Sequence, residues 1–403
     1  MTAPTTSYHL RPERGWLNDP NGMTCIDGVW HVFFQHNPDA PVHGQIAWGH
    51  ATSTDLAMWR LRPVAFSPTP SGPDAFGCWS GVHVPGHDRP AVAYSGIATD
   101  DGQSTICLRW GSPDLIDWEA PIVVGRTPDA DGIGIMRDPF VFEYEGRQLA
   151  VLGAGLSDGS PAVILYDRSD ELAWRYLGVL VADDPVLRAA GPADIWECPQ
   201  LFPVEDRWVL VVSLHDRGEL GQVVAAIGDL EADGEGLRFV AESAHVLDDG
   251  TDFYAPQVSL ADGEPLLMGW VRQEGQDPQV RDHAGCLTLP RRLALVDGVV
   301  TSRLDRMANA ALTGSVVPVE AGETVLANRR WRVMVMGTGV RMTHPSLGEV
   351  ELARGARLWV DGAVVELYRP SGIAATWRHD EPWTLMLPEA GAVEVRRVVP
   401  MVP

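Results

Sequence analysis

Short runs of hydrophobic residues separated by polar turns make up most of this chain, and one arrangement of them recurs five times. Each unit has an apolar run, a polar turn and a second, more apolar run, which predicts two antiparallel strands joined as a hairpin. The units begin at residues 23, 82, 140, 201 and 258, so successive starts lie 57 to 61 residues apart. This period is too long for a solenoid rung and is typical of one blade of a large β-propeller.

A second marker repeats in step with the hairpins. A short polar segment that ends in tryptophan follows the first three of them, at Trp59, Trp118 and Trp174. Four short strands in each of five units would close a ring without free sheet edges. We therefore predict an all-β protein in which residues 1–303 form a five-bladed β-propeller, the catalytic domain.

The remainder of the chain has a different pattern. The segment RLDRMANAAL, which ends at residue 312, is the one plausible helical or linker stretch, and we expect residues 304–312 to form the linker. Alternating strand patterns separated by Gly, Pro and Asp turns then return. They predict a small C-terminal β-sandwich over residues 313–403.

A short motif stands just ahead of each hairpin. The five motifs are NDPNG, CWSG, RDPF, ECPQ and YAPQ, and they align at one equivalent position in the five units. If that position begins the innermost strand of each blade, the acids Asp19, Asp138 and Glu197 point into one end of the central channel. We expect the proline after each aspartate to hold that aspartate's backbone extended and so to fix the direction of its side chain.

Three crowded carboxylates indicate acid–base chemistry. Negative neighbours shift one another's pKa values apart, so that one group can be protonated while another stays ionised. Glycoside cleavage needs this division between an acid and a nucleophile or base, and the third carboxylate can bind hydroxyls. The alternative for a single Asp before Pro is a turn or strand cap. A metal site is disfavoured because histidines do not recur in step with the acids and no calcium loop is present, so we expect neither metal nor cofactor.

Charge and cysteine content narrow the class of protein further. The net charge of −23 and the sequence pI near 4.8 disfavour nucleic acid and anionic membranes as partners. Five widely spaced cysteines without a C-x-x-C pair indicate neither a disulfide framework nor a zinc site. Because no secretory signal or membrane-spanning apolar segment is recognisable, we expect a cytoplasmic protein. We expect its partner to be a small sugar. The sequence pattern does not predict an oligomeric state.

Taken in order, the motifs WLNDPNG, FFQHNP, WGHATSTDLAMW, GCWSG, RDP, ECP, DFYAPQ, MGW and LTLPR resemble the β-fructofuranosidases of glycoside hydrolase family 32, the invertase group. The resemblance covers residues 8 to 300, and LWVDGAVVELY resembles part of that family's C-terminal sandwich. It implies a five-bladed propeller and a retaining mechanism that releases terminal β-D-fructofuranosyl units from sucrose or related fructosides.

The resemblance also implies roles for particular residues. Asp19 would be the nucleophile that attacks C2 of the fructosyl unit, Glu197 the acid/base, and Asp138 the group that holds fructose hydroxyls and stabilises the transition state. The residues that match substrate-binding positions are Asn18, Gln35, Trp48, Trp79, Ser80 and Arg137, with Tyr254 and Trp270 as rim positions.

Three positions depart from the family pattern: His43 and Val82 on the acceptor side, and Arg292 after LPR. These departures leave three possible substrates: sucrose, sucrose 6-phosphate and fructans. If the leaving group carries a phosphate, its candidate ligands are Arg11, Arg14, Arg272 and Arg281. Transfer of the fructosyl unit to a sugar acceptor would use the same residues and remains an alternative activity. Two further alternatives remain. An inverting arabinan-type hydrolase is disfavoured by the complete NDPNG and ECP pattern. A non-catalytic sugar-binding propeller is disfavoured because all three acids are present.

Overall fold

The computed structural model describes residues 7–277, 279–327 and 329–399. Within these residues nearly all regular structure is β-strand, arranged in seven sheets. The predicted all-β class is confirmed. None of the helices in the described ranges is long and apolar enough to cross a membrane, and the cytoplasmic location stays a prediction.

Five sheets follow one another between residues 15 and 304, and each begins with one of the predicted hairpins. Their strands are β1 (Gly15–Ile26), β2 (Val29–Asn37), β3 (Ala47–Ser53) and β4 (Arg60–Leu61); β5 (Gly77–His83), β6 (Ala91–Ile97), β7 (Ser104–Trp110) and β8 (Ile122–Arg126); β9 (Ile133–Tyr144), β10 (Arg147–Leu156), β11 (Pro161–Asp167) and β12 (Arg175–Ala182); β13 (Ile195–Val204), β14 (Arg207–Asp216), β15 (Glu219–Asp233) and β16 (Gly236–Val246); and β17 (Phe253–Ser259), β18 (Leu266–Val271), β20 (Cys286–Leu287), β21 (Arg291–Val296) and β22 (Val299–Leu304).

The first strands of these five sheets are neighbours in space. β1 contacts β5, β5 contacts β9, β9 contacts β13, β13 contacts β17, and β17 contacts β1. A short strand, β19 (His283–Ala284), also pairs in parallel with β1. Positions separated by nearly sixty residues are therefore brought side by side.

Side chains link these first strands by hydrogen bonds to backbone groups of neighbouring strands. Asn21 Oδ1 accepts from the Gly81 N–H at 3.0 Å, joining β1 to β5. Gln200 Oε1 accepts from Val258 N at 2.9 Å, joining β13 to β17. Gln257 joins β17 to two strands at once, because it accepts from Met23 N and donates to the Gly81 carbonyl, each at 2.7 Å. Such bonds satisfy buried backbone groups while fixing the spacing between sheets.

Two further sheets follow residue 312 and share one hydrophobic core, to which both contribute buried side chains such as Leu358 and Leu385. Their strands are β23 (Thr313–Val317), β25 (Arg330–Val335), β28 (Arg357–Asp361), β29 (Val364–Tyr368), β30 (Ala374–Arg378) and β32 (Val393–Val398) in one sheet, and β24 (Gly322–Val325), β26 (Val340–His344), β27 (Gly348–Leu352) and β31 (Thr384–Leu387) in the other. The sequence LWVDGAVVELY forms the hairpin of β28 and β29, with Gly362 in its turn at φ +64°.

Two short helices complete the described structure. α2 (Arg306–Leu312) lies in the segment predicted to be helical or a linker, and the side chain of Asp305 caps it by accepting from Met307 N and Ala308 N. α1 (Pro185–Arg188) was not predicted, because four residues are too few to show a helical period.

Candidate active site

The five motifs meet at one narrow cavity. Its lining includes Pro20, Ser80, Asp138, Cys198 and Pro256, one residue from the first strand of each of the five sheets. The cavity has a volume of about 10 Å³, which is the space for a single water molecule. The predicted convergence of the motifs is thus present in the structure.

Each first strand carries a β-bulge at its motif. The pairing of β1 with β2 shifts between Leu17 and Pro20, and equivalent shifts occur at the motifs of β5, β9, β13 and β17. A bulge leaves residues out of the ladder and redirects their side chains. Here it turns the acid-bearing segments toward the cavity.

The backbone of Asp138 is not extended as predicted. Its φ is +60°, and the residues before the prolines in β13 and β17, Cys198 and Ala255, also have positive φ values of +49° and +43°. A following proline disfavours the right-handed helical region, but the bulge draws this residue into the left-handed region instead. The direction of the Asp138 side chain is therefore set by a strained bulge.

Asp19 is buried and both of its carboxylate oxygens have hydrogen-bond donors. Asn18 Nδ2 donates to Oδ1 at 2.9 Å, while Gln35 Nε2 and the Ser80 hydroxyl donate to Oδ2 at 2.8 and 2.5 Å. Asn18 is itself held by the indole N–H of Trp16, which donates to its side-chain oxygen at 2.6 Å. The carboxylate is thus fixed in orientation by three predicted site residues.

Burial raises the pKa of Asp19 to about 6. The hydrogen bonds from Ser80 and Asn18 act in the opposite direction, because they favour the ionised form, and the charge of Glu197 raises the pKa further. Asp19 is therefore largely ionised at neutral pH and becomes protonated in mildly acidic solution.

Asp138 is buried beside it. Its Oδ2 accepts from the Cys198 N–H at 3.0 Å, and its own backbone N–H donates to the Ser95 hydroxyl at 2.7 Å. Burial, followed by the charge of Glu197, raises the pKa of Asp138 to about 7, although Arg137 lowers it. Asp138 is therefore partly protonated at neutral pH.

Glu197 is the most accessible of the three acids, with 13% of its side chain exposed. One carboxylate oxygen accepts from Arg137 Nη1 at 3.0 Å and the other lies 2.8 Å from the Tyr254 hydroxyl. These partners come from β9 and β17 and hold the carboxyl group between them. Tyr254 was predicted as a rim residue, but it is almost fully buried and contacts the candidate acid directly.

Aromatic rings continue the wall around the acids. The guanidinium of Arg137 lies 5.4 Å from the Trp79 ring, and the rings of Trp79 and Trp16 both contact the exposed ring of His43 edge-on. Trp16 also contacts Trp270, at 5.6 Å between ring centroids. This arrangement offers flat apolar faces above a polar floor, which suits a sugar ring.

Trp48 does not reach the site surface. It is fully buried, stacks on Phe66 and donates its indole N–H to the Trp79 carbonyl at 3.1 Å. Its role in binding substrate stays a prediction, and in the structure its indole N–H holds the backbone of Trp79. The pattern WGH could not reveal this, because a core tryptophan and a stacking tryptophan look alike in sequence.

Sequence reasoning missed several residues at the site. Trp16 stands in the motif WLNDPNG but was given no role, and Ser95 gave no signal apart from its place in a strand. The sulfur of Cys198 lies 3.8 Å from Asp19 Oδ2 and 3.5 Å from Asp138 Oδ2. Gln200 and Gln257 did carry a signal, since each directly follows the proline of its motif.

The four candidate phosphate ligands occupy different places. The Arg272 guanidinium lies 5.7 Å from the ring of Tyr254. Arg14 donates to the Pro38 carbonyl on the surface. Arg11 and Arg281 line a separate cavity beside the C-terminal sheets. Arg272 thus contacts Tyr254, which is a direct partner of Glu197.

Val82 and Arg292 also depart from the family pattern. Val82 is buried in the core. Arg292 forms ion pairs with Asp262 and Asp305 at 2.5 and 2.7 Å. Both positions are therefore accounted for by packing and charge within the fold. Among the described residues no cluster of three or more His, Cys, Asp or Glu side chains is arranged to hold a metal ion.

Comparisons with known proteins agree with this geometry. The family description "Glycosyl hydrolases family 32 N-terminal domain" matches residues 9–304. A sucrose-6-phosphate hydrolase of Zymomonas mobilis is 33% identical over 310 residues, which cover 73% of this chain and 60% of that protein. A raffinose invertase of Escherichia coli is 31% identical over 373 residues, covering 88% of this chain and 76% of that protein.

Solved structures are similar over the whole chain. The Bombyx mori GH32 beta-fructofuranosidase superimposes with a TM-score of 0.82 at 25% identity, covering 100% of this chain and 96% of that one. The chain spans about 60% of the length of the curated sucrose-6-phosphate hydrolases from Zymomonas mobilis. The family match extends over most of the chain, and this protein belongs to glycosyl hydrolase family 32.

Proposed function

We propose that this protein is a retaining glycoside hydrolase that releases terminal β-D-fructofuranosyl units from sucrose or related fructosides. The observation that carries the proposal is the meeting of Asp19, Asp138 and Glu197 from three sheets, with distinct partners for each. Membership of the family and the names of its relatives support the same substrate class.

In the first step the Asp19 carboxylate attacks C2 of the fructosyl unit, and the bond from C2 to the glycosidic oxygen breaks. Glu197 transfers a proton to that oxygen, so the leaving sugar departs as a neutral alcohol. Donors from Asn18, Gln35 and Ser80 hold the attacking carboxylate in one orientation, which lowers the entropy cost of reaching the transition state.

In the second step Glu197 takes a proton from water, and the resulting nucleophile attacks C2 to release fructose and regenerate Asp19. Arg137 and the Tyr254 hydroxyl keep Glu197 in place for both transfers. Asp138 binds fructose hydroxyls and stabilises positive charge at the anomeric centre. A non-catalytic sugar-binding protein would have no use for three adjacent acids, two of them buried with pKa values that burial and the charge of Glu197 raise.

We further propose the fold that places these groups. The ring of contacts among β1, β5, β9, β13 and β17 supports a closed five-bladed propeller over residues 1–303. The core shared by the two later sheets supports a β-sandwich over residues 313–403, with residues 304–312 as linker.

A second candidate, hydrolysis of sucrose 6-phosphate, is favoured by Arg272. Its guanidinium lies over the ring of Tyr254, which is a partner of Glu197. Arg272 Nη1 is held by the Leu220 carbonyl at 2.7 Å, which fixes its charge near the acid. A phosphate on the leaving glucose could gain a charge-assisted hydrogen bond there.

The proposal is tested by measuring fructose release from sucrose, sucrose 6-phosphate, raffinose, inulin and levan, with Asp19→Ala as the blank. We expect cleavage of sucrose or its phosphate and no cleavage by the variant. If Arg272 binds phosphate, Arg272→Gln lowers kcat/KM for sucrose 6-phosphate more than for sucrose. A folded protein that cleaves none of these substrates would refute the proposed activity.

A further inference from the structure

A second, larger cavity lies away from the catalytic acids, between the end of the fifth sheet and the C-terminal sheets. Its volume is about 300 Å³, within the range of small-molecule sites. Gln273, Arg281 and His283 line one side, and Asp361, Arg378 and His379 line the other. It shares no lining residue with the cavity beneath Asp19.

The lining is rich in cationic groups although the protein as a whole is strongly acidic. Arg11, Arg281 and Arg378 all line the cavity, and Arg11 Nη1 lies 2.7 Å from His283 Nε2. Burial and the charges of these three arginines lower the pKa of His283 to about 4. The local potential therefore disfavours a further positive charge and favours an anion.

The two carboxylates in the lining do not cancel this potential. Asp380 lies 2.7 Å from Arg281 and 3.3 Å from Arg378, so one acid is shared by two arginines. Asp361 is paired with the imidazole of His9 at 3.0 Å. Burial alone would lower the pKa of His9, but hydrogen bonds with Asp361 and Glu366 raise it to about 9, so His9 is charged at neutral pH.

Gln273 supplies an independent sign that the cavity suits a polar ligand. It is 93% buried, its side-chain oxygen accepts from the Gly285 N–H at 3.0 Å, and its side-chain N–H₂ group, Nε2, is buried with no hydrogen-bond partner among the described residues. Buried amide donors are nearly always satisfied, so an unpaired one in the wall of a cavity indicates an acceptor that occupies the cavity.

We propose that this cavity binds a small organic phosphate of hexose phosphate size. Arginine side chains form paired hydrogen bonds with phosphate oxygens, and the Gln273 amide adds a neutral donor. Arg281 and Arg378 share the single carboxylate of Asp380, and a phosphate would bring further negative charge to these two arginines, which a neutral sugar would not. The site is separate from the catalytic acids and does not depend on the proposed activity.

Isothermal titration calorimetry with inorganic phosphate and with glucose 6-phosphate tests the proposal, with glucose as the uncharged comparison. We expect both phosphates to bind and glucose not to bind. Arg281→Gln should weaken phosphate binding about tenfold to a hundredfold, the range for loss of a hydrogen bond to a charged group. Gln273→Glu keeps the acceptor for Gly285 but replaces the cavity donor with a negative charge, so it should weaken binding at least as much.

Two control variants separate this site from others. Arg217→Gln removes a well-exposed arginine whose guanidinium pairs with Asp216, and it should leave binding unchanged. Arg272→Gln should leave phosphate binding at this cavity intact even if Arg272 contacts phosphate at the catalytic site, whereas loss of all phosphate binding in this variant, with none in Arg281→Gln, would assign the phosphate to the catalytic site and overturn the proposal. Absence of binding to the unaltered protein would overturn it as well. Because the assay measures binding and not sugar release, either result is distinct from failure of the proposed activity.

Discussion

Ser80→Ala is the sharpest perturbation of the proposed nucleophile. The Ser80 hydroxyl donates to Asp19 Oδ2 at 2.5 Å and stabilises the ionised carboxylate, which lowers the pKa that burial raises. Its removal deletes one hydrogen bond to a charged group, worth about 1.5 to 3 kcal/mol. One pKa unit corresponds to about 1.4 kcal/mol, so the pKa of Asp19 should rise from about 6 by roughly one to two units.

The consequence is a pH-dependent loss of activity. Asp19 attacks only when ionised, so the acid limb of the kcat/KM profile for sucrose should move upward by the same one to two units. At pH 5 the variant should be about tenfold to a hundredfold slower than the unaltered protein, whereas at pH 8 the two should agree within a few-fold.

The assay is the initial rate of fructose release between pH 4.5 and 8.5, with Ser302→Ala as the control. Ser302 is equally buried, but its hydroxyl has no hydrogen-bond partner in the described structure and lies in β22. An acid limb that stays in place in Ser80→Ala, or moves downward, would refute the assignment of this limb to Asp19.

Three further predictions follow from other contacts. Glu197→Gln should retain sucrose binding and lose about 10² to 10⁴ in kcat, with partial recovery on a fructoside whose leaving group needs no proton; near-normal turnover of sucrose would remove Glu197 from this role. Trp48→Phe should raise the KM for sucrose and lower the free energy of unfolding by about 1 kcal/mol, because the Trp79 carbonyl loses its donor; unchanged stability would contradict its positioning role. His9 has a pKa raised to about 9, so its stabilising effect is full below about pH 6.5 and is lost as the pH rises through 9. The difference in melting temperature between the unaltered protein and His9→Gln should therefore shrink between pH 6.5 and 10, and a constant difference would argue against a charged His9.

The sequence predicted those features that repeat. Five equivalent hairpins were found because strand, turn and strand recur at one period, and the prolines of the motifs gave the register that brings Asp19, Asp138 and Glu197 together. Features that occur once were harder to predict. The positive φ of Asp138 arises from a bulge whose pairing partners lie on β10, and no local pattern reports that pairing.

The sequence also could not predict which polar and aromatic residues are buried. Trp48 and Trp79 stand in similar motif contexts, yet Trp48 is enclosed by core side chains and Trp79 packs against the guanidinium of Arg137. The network of His9 with Asp361 and Glu366 joins positions more than 350 residues apart, and a single sequence gives no sign of such a pairing. These outcomes depend on tertiary packing, which overrides the local sequence signal.

The most direct test of double displacement is the anomeric configuration of the product when methanol competes with water during sucrose cleavage. Proton NMR of the reaction mixture distinguishes the two methyl fructofuranosides. Two inversions, at Asp19 and then at the acceptor, predict methyl β-D-fructofuranoside as the methanol product. Methyl α-D-fructofuranoside would show a single inversion, and it would contradict a covalent fructosyl intermediate on Asp19.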